Sequence, residues 1–119
     1  MFSSREKAYL HEQRLARLAT VNPQGQPDVV PVGYDFDGDH FFIGGRRMQR
    51  TVKYHNVKSN QKVALVIDDL ESTDPWLPRG IKVRGVAELV EREAGYAGPG
   101  VYIQLTPESH RSWGIYERS

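Results

Sequence analysis

The sequence predicts an all-β fold with short helices, in which six antiparallel strands form one closed or nearly closed barrel. Short apolar segments alternate with turn-forming sequences, the clearest being residues 22–25, Asp37-Gly38 and residues 95–100. No internal repeat or second linker interrupts the 119 residues, so we expect a single domain over residues 1–119. A barrel suits such strands because closure removes unpaired sheet edges.

A short helix and a hairpin are predicted at the start of the chain. Ser3 and Glu6 have the spacing of a capping box, which predicts a helix from there to about Arg14. Residues 15–21 predict the first strand, residues 22–25 a turn, and residues 28–36 the second strand. Pro31 has no N–H to donate, so we expect the second strand to have a sheet edge, a bulge or an exposed stretch of backbone at this residue.

The remaining elements follow the Asp37-Gly38 turn, a dipeptide typical of tight hairpins. Residues 40–43 predict the third strand, and residues 48–58, which lack strand alternation, predict a short helix. The apolar segment 63–67 predicts a strand covered on both faces. Residues 68–78, acidic and containing prolines, predict a loop; residues 81–91 predict the longest strand, residues 101–105 the sixth, and residues 106–112 a turn.

The composition excludes several classes of protein. No segment approaches the ~18 consecutive apolar residues of a membrane helix, so we expect no membrane partner. Arg5, Glu6 and Lys7 occupy the region where a secretory signal needs apolar residues, which predicts a cytoplasmic location. Because the chain has no cysteine, disulfides, thiolate metal sites and cysteine nucleophiles are excluded.

Metal-dependent and hydrolytic chemistry are not indicated by the remaining residue patterns. The four histidines share no ligand spacing with one another or with carboxylates. Asp35, Asp37 and Asp39 resemble a calcium loop, but Arg46 stands where a bidentate glutamate belongs, so we interpret them as a polar hairpin. No serine lies in a glycine-flanked nucleophile elbow. We therefore predict neither a metal site nor a catalytic triad.

The positive charge of the chain is concentrated in one segment. The sequence has 16 basic and 15 acidic residues, yet the segment 46–62 holds six basic residues and no acidic one. This concentration favours an anionic ligand, although a basic helix is also common as a solvated face. The six residues are Arg46, Arg47, Arg50, Lys53, Lys58 and Lys62. We expect Arg47, Lys58 and Lys62 to face solvent.

A flat, phosphate-bearing ligand fits the region around this segment. Pro31, Val32 and Gly33 leave backbone and little side-chain bulk along one strand, and Gly44-Gly45 permits close approach where the next strand ends. Charged and hydroxyl donors then surround a helix start, whose free N–H groups favour anions. These donors are Arg46, Arg50, Thr51 and Lys53.

Four segments, taken in order, carry a resemblance to a known family: RLATVNPQGQPDVVPVGYDFDGDHFFIGGRRM, TVKYHNVKSNQKVALVIDD, STDPWLPRGIKVRGVAEL and IQLTPESHRSWGI. They resemble the split-barrel family that includes pyridoxamine-phosphate oxidase, and within it the actinobacterial branch that uses the deazaflavin coenzyme F420. The resemblance covers residues 15–115. It implies a six-stranded antiparallel split β-barrel of the FMN/F420-binding type, working as a homodimer with the coenzyme in a cleft between subunits.

The resemblance also implies a set of coenzyme-binding residues. The phosphate positions match Arg46, Thr51 and Lys53, with Arg50 beside them. The ring is expected along residues 31–34, and Trp76 and Arg79 match cleft positions that reach the partner subunit's site. The full expected set is Pro31, Val32, Gly33, Tyr34, Gly45, Arg46, Met48, Arg50, Thr51, Lys53, Trp76 and Arg79.

The implied activity is transfer of a hydride from reduced F420 to an electron-poor double bond or a quinone-like small molecule. Such a cofactor supplies the chemistry itself, so we assign no catalytic acid or base in the protein. Three alternatives stay open: FMN as the cofactor, a non-catalytic coenzyme-binding protein, and a barrel that binds nucleic acid. The chain departs from the family at Arg47, where a smaller polar residue is expected, and at 91–100, where the connector is short.

Overall fold

The computed structural model describes residues 1–116. In this part of the chain, helix α1 spans Ser4–Glu12 and helix α2 spans Val52–Ser59, with a 3₁₀ turn at Met48–Arg50 before α2. The strands are β1 (Leu15–Val21), β2 (Pro27–Gly33), β3 (Asp35–Phe36), β4 (Phe41–Ile43), β5 (Lys62–Thr73), β6 (Trp76–Arg92) and β7 (Gly100–Trp113). The mostly β architecture predicted from the sequence is confirmed.

All seven strands form one antiparallel sheet in the order β2-β1-β5-β6-β7-β4-β3. The two strands at its opposite edges, β2 and β3, are separated in the chain by Tyr34 alone. Because one residue spans less than about 4 Å, the sheet must curl until its edges meet near this residue. The sheet therefore closes on itself as a split barrel, and Pro31 lies on an edge strand as expected.

Tyr34 divides the segment that the sequence predicts as one strand over 28–36. Its side chain is buried, and its hydroxyl donates a hydrogen bond of 2.6 Å to the carbonyl oxygen of Leu10 in α1. The chain pairs with β1 before this residue and with β4 after it. The predicted second strand is thus two strands, which gives seven strands within residues 1–116 where six were expected.

The core fills the inside of the barrel with alternate residues of the strands. Helix α1 covers one end, where Tyr9 and Leu10 are buried. The capping box predicted for this helix is present: Ser3 Oγ accepts from the Glu6 N–H, and Glu6 accepts from the Ser3 N–H. The buried strand residues include Ala16, Leu18, Val32, Phe41, Ile43, Leu65, Ile67, Ile81, Val83, Ile103 and Leu105.

The predicted loop at 68–78 is wrong, because β5 and β6 extend into one long hairpin. Strand β5 continues to Thr73, which pairs with Trp76 at the start of β6. The register of the two strands shifts between Leu70 and Ser72. The acidic residues that suggested a loop are accommodated by ion pairs. Asp68 pairs with Arg17 and Asp69 pairs with Arg79, and cross-strand pairs of opposite charge stabilise a sheet.

The predicted turn at 106–112 is also wrong, because β7 continues to Trp113 alongside β6. Pro107 would interrupt a regular ladder, since it has no N–H. The register of β6 and β7 shifts between Arg84 and Gly85, opposite this proline. Such a bulge accommodates Pro107 within a strand.

Candidate functional site

The segment between β4 and α2 presents the start of a helix to solvent. Thr51 has extended backbone angles and divides the predicted helix 48–58 into the 3₁₀ turn and α2. Its hydroxyl donates to the Met48 carbonyl at 2.6 Å and accepts from the Tyr54 N–H at 3.3 Å. The N–H groups of Val52 and Lys53 have no intrahelical acceptor. This helix end therefore offers donors and partial positive charge to an anion.

Lys53 is the basic side chain whose environment is most unusual. It is half-buried, and burial lowers the pKa of its ammonium. Arg46 and Arg50 are exposed on the same segment. Within residues 1–116, none of these three cations forms an ion pair with a carboxylate. A partly desolvated ammonium without a counter-ion gains free energy when an anion binds beside it.

The outer face of β2 is nearly free of side chains at its carboxyl end. Pro31 and Gly33 face outward, whereas the side chains of Val32 and Tyr34 point into the barrel and are buried. Only the backbone of the latter two residues is available to a ligand on the outer face. Gly45 is exposed, with open space where a Cβ would lie.

Tyr96, in the connector between β6 and β7, covers this surface of β2. A Cβ added at Gly33 would lie 2.9 Å from its ring. Its hydroxyl accepts from the Gly44 N–H at 2.7 Å and lies 2.8 Å from the carbonyl oxygens of both Gly33 and Gly44. The hydroxyl therefore brings the end of β2 and the residue after β4 together. No sequence pattern singles out Tyr96, because the turn residues around it predict only a loop.

A cavity of about 360 Å³ adjoins the same residues. Its volume is in the range of small-molecule sites. The cavity is lined by His11, Glu12, Gln13, Arg14, Gly33, Tyr34 and Tyr96. The donors from Arg46 to Lys53 are not among the residues that line this cavity. The polar backbone atoms at Gly33 and Gly44 are covered by the Tyr96 hydroxyl.

The two expected cleft residues, Trp76 and Arg79, lie on the long hairpin formed by β5 and β6. Arg79 binds Asp69 through two hydrogen bonds, Nε to Oδ1 at 2.8 Å and Nη2 to Oδ2 at 3.0 Å, and these bonds lower the pKa of Asp69. Arg79 lines a second cavity, of about 570 Å³, together with Tyr9 and Leu70, and Glu12 borders both cavities. Trp76 is 66% exposed at the start of β6.

The expected binding residues thus divide into three groups. The side chains of Val32, Tyr34 and Met48 belong to the core. Trp76 and Arg79 lie on the hairpin that extends beyond the start of β1. The remaining residues lie on the surface around the β2 end and the α2 start: Pro31, Gly33, Gly45, Arg46, Arg50, Thr51 and Lys53.

Within residues 1–116, no three or more histidine, cysteine, aspartate or glutamate side chains are grouped so that they could hold a metal ion. Neither helix in the same range has the length and apolar character needed to cross a membrane.

Comparison with known sequences finds relatives over nearly the whole chain. A model of the family described as pyridoxamine 5'-phosphate oxidase matches residues 3–110. The 5a,11a-dehydrotetracycline/5a,11a-dehydrooxytetracycline reductase of Streptomyces rimosus subsp. rimosus is 35% identical. That alignment of 119 positions covers 96% of this chain and 84% of the reductase.

Solved structures with the same fold are also found. HupZ of group A Streptococcus superposes with a TM-score of 0.76 at 23% identity, covering 96% of this chain and 95% of that chain. A structure described as an F420 reductase superposes with a TM-score of 0.66 at 24% identity, covering 83% and 90% of the two chains. At these identities the likeness establishes the fold, so the split barrel predicted from the sequence is confirmed.

Proposed function

This chain belongs to the pyridoxamine 5'-phosphate oxidase family, and from that premise we propose that it is an F420-dependent reductase of a small, electron-poor molecule. Reductase activity in the 35% identical relative supports the oxidoreductase class. The Streptomyces origin of that relative and the F420 reductase among the similar folds support the actinobacterial deazaflavin branch. The substrate class we propose is a double bond in conjugation with a carbonyl, or a quinone-like acceptor.

The observation that carries this proposal is the environment of Lys53. A half-buried ammonium that pairs with no carboxylate among residues 1–116 lies in the first turn of α2, where backbone N–H groups add to its attraction for an anion. Arg46 and Arg50 lie on the same surface segment. These residues would hold the phosphate of the coenzyme, and Thr51 fixes the helix start from which they project.

When bound, the reduced deazaflavin supplies the hydride, and the protein supplies orientation and the surrounding charge. Proton donation by Tyr34 is disfavoured, because its hydroxyl is buried and already donates to the Leu10 carbonyl, and burial raises its pKa. We therefore assign no catalytic acid or base. A proton needed by the product is supplied by water in this proposal.

FMN is the main alternative cofactor, since its phosphate suits the same cations. The two cofactors are distinguished by the visible absorption of the complex. A non-catalytic coenzyme carrier would bind F420 without turnover, and a nucleic-acid-binding barrel would bind single strands with a steep salt dependence. We propose that the protein has no nucleic-acid partner. Its cytoplasmic location stays a prediction.

We also propose that the protein works as a homodimer. The outer face of β1, β2 and β5 is rich in apolar residues, of which Leu15 and Val29 are 56% and 67% exposed. Ala19 and Ala64 flank a groove of about 390 Å³ on this face. Exposed apolar surface of this kind supports association with a second copy. A second copy would also give the exposed Trp76 side chain a surface to contact, since the family resemblance implies that Trp76 reaches the partner subunit's site.

The test is a fluorescence titration of the purified protein with F420 and, separately, with FMN. We expect tighter binding of F420, and we expect Lys53→Met to weaken it about 10- to 100-fold, because a hydrogen bond to a charged group contributes about 1.5–3 kcal/mol. Lys58→Met is the matched control, since Lys58 is exposed and its ammonium lies over the Tyr54 ring at 5.4 Å.

Equal loss of affinity in the Lys53 and Lys58 variants would contradict a specific phosphate site. Turnover is then measured as oxidation of reduced F420 in the presence of a 5a,11a-dehydrotetracycline, the substrate class in the name of the relative. Tight binding of F420 without turnover on this or any quinone acceptor would favour the coenzyme-carrier alternative.

A further inference from the structure

The Tyr96 hydroxyl hydrogen-bonds to backbone atoms outside its own loop. Three backbone atoms surround it: the Gly44 N–H at 2.7 Å, and the carbonyl oxygens of Gly33 and Gly44 at 2.8 Å each. A hydroxyl has one proton, so it donates to only one of the two carbonyl groups at a time. One donor and two acceptors thus converge on a single point beside the bare end of β2.

The same set of groups is complementary to a lactam edge. A ring carbonyl there would accept from the Gly44 N–H, and an adjacent ring N–H would donate to the carbonyl of Gly33 or Gly44. Gly33 has no side chain, so a flat ring can lie against the backbone where the Tyr96 ring now lies. The single oxygen of the Tyr96 hydroxyl makes the contacts that the carbonyl oxygen and the N–H of a lactam edge would make together.

The loop that carries Tyr96 is held by a few polar contacts. The backbone N–H of Tyr96 donates to Asp35 Oδ2 at 3.0 Å, and the Tyr102 hydroxyl bonds to the backbone of Ala97 and Gly98. The Tyr96 side chain is 45% exposed and is one wall of the 360 Å³ cavity. If this side chain rotated toward solvent, the space that it leaves would therefore be added to the existing cavity.

We propose that Gly33 and Gly44 form a binding subsite for the lactam edge of a planar heterocycle, and that Tyr96 fills this subsite until the ring displaces it. This inference rests on the proposed function, because both F420 and FMN carry a lactam in the pyrimidine part of the ring. It makes Tyr96 a specificity-determining residue. A ring whose edge lacks the carbonyl or the N–H cannot replace all the hydrogen bonds of the hydroxyl, so it displaces Tyr96 less readily. Burial raises the pKa of Tyr96 to about 12, so the hydroxyl stays protonated at neutral pH.

The experiment compares FMN with 3-methyl-FMN, whose ring nitrogen cannot donate, by flavin fluorescence titration of the wild type and of Tyr96→Ala and Tyr96→Phe. We expect the wild type to prefer FMN over the methylated probe by about tenfold, the value of one hydrogen bond left unmade. We expect Tyr96→Ala to bind FMN about 3- to 10-fold more tightly than the wild type, because no internal contact has to be broken. Tyr116→Ala is the control, because Tyr116 is an exposed tyrosine that lines the cavity of about 570 Å³ instead.

Association kinetics provide a second readout. In the wild type the observed binding rate levels off at high FMN concentration, because departure of Tyr96 limits the rate, whereas in Tyr96→Ala it rises linearly. Far-ultraviolet circular dichroism checks that the variants fold.

The outcomes separate the two proposals. If neither F420 nor FMN binds to any variant, the proposed function fails and the subsite fails with it. If FMN binds but the methylated probe binds equally well, or if Tyr96→Ala binds FMN more weakly, the subsite is overturned while the proposed function stands.

Discussion

Individual buried polar residues show how closely the site depends on the fold behind it. Asn56 lies one turn after Lys53 in α2, is 4% exposed, and donates through Nδ2 to Thr20 Oγ1 in β1 at 2.9 Å. This bond fixes α2, and hence the start of the helix, on the barrel. The burial of Asn56 and its bond to Thr20 indicate a structural position.

We predict that Asn56→Ala lowers the free energy of unfolding by about 1–3 kcal/mol, because the Thr20 hydroxyl then stays buried without its partner. Urea denaturation measures the change. The double variant Thr20→Val, Asn56→Leu is expected to recover most of the loss, since removing both polar partners leaves none unsatisfied. A double variant less stable than Asn56→Ala would show that packing, and not the hydrogen bond, holds the helix.

Sequence reasoning at the residue scale succeeded where the chemistry is local. The capping box at Ser3 and Glu6 and the edge position of Pro31 follow from hydrogen-bonding capacity alone, and both are confirmed. The position of Tyr96 over Gly33 could not be predicted, because the two residues are 63 positions apart and meet only when the barrel has formed. The burial of Met48 likewise depends on contacts that form only in the folded barrel.

At the scale of elements, the β5–β6 hairpin depends on paired charges. Asp69 accepts two hydrogen bonds from Arg79, and its Oδ1 also accepts from the Tyr9 hydroxyl at 2.8 Å. Sequence analysis predicted a loop here because acidic residues and prolines are uncommon in strands. The cross-strand partners that make a strand possible, 10 residues apart in the chain for Asp69 and Arg79, are visible only once the register is known.

The Asp69 ion pair predicts a pH dependence of stability. Because the hydrogen bonds from Arg79 lower the pKa of Asp69 in the folded state, its contribution is complete above the unfolded-state pKa of about 3.9 and is lost as the pH falls through the folded value. Asp69→Asn should therefore be less stable than the wild type at pH 6, with the difference shrinking below about pH 4.

Urea denaturation at several pH values measures this difference. The control is Asp39→Asn, because Asp39 is exposed and its carboxylate forms no ion pair within residues 1–116. A stability difference for Asp69→Asn that stays constant from pH 6 to pH 3 would contradict a role of the charge.

At the scale of the whole molecule, the proposed dimer tests the exposed face of the barrel. Val29→Glu places a charge on the outer face of β2, where we propose that a second copy binds. We expect sedimentation equilibrium to show a dimer for the wild type and a shift toward monomer for the variant, since an unpaired buried charge opposes association. Gln24→Glu, in the exposed turn between β1 and β2, is the matched control. A wild-type monomer at all concentrations would refute the dimer.

The barrel as a whole was predictable because its strands carry clear periodicity and turns, and because the family resemblance covers almost the entire chain. The number of strands was not, because strand lengths and breaks depend on which segments pair. The residues 28–36 look like one strand in sequence, but the requirement to join the two sheet edges at Tyr34 makes them two.

The strand order also governs how the chain can assemble as it leaves the ribosome. Strands β3 and β4, at residues 35–43, pair with each other, and β4 also pairs with the much later β7, with Phe41 opposite Leu105. Strands β1 and β2 likewise wait for β5. Contacts over such separations are slow to form. The nascent polypeptide must therefore expose the β1–β2 hairpin until β5 has been synthesised, and the β3–β4 hairpin until β7 has been synthesised.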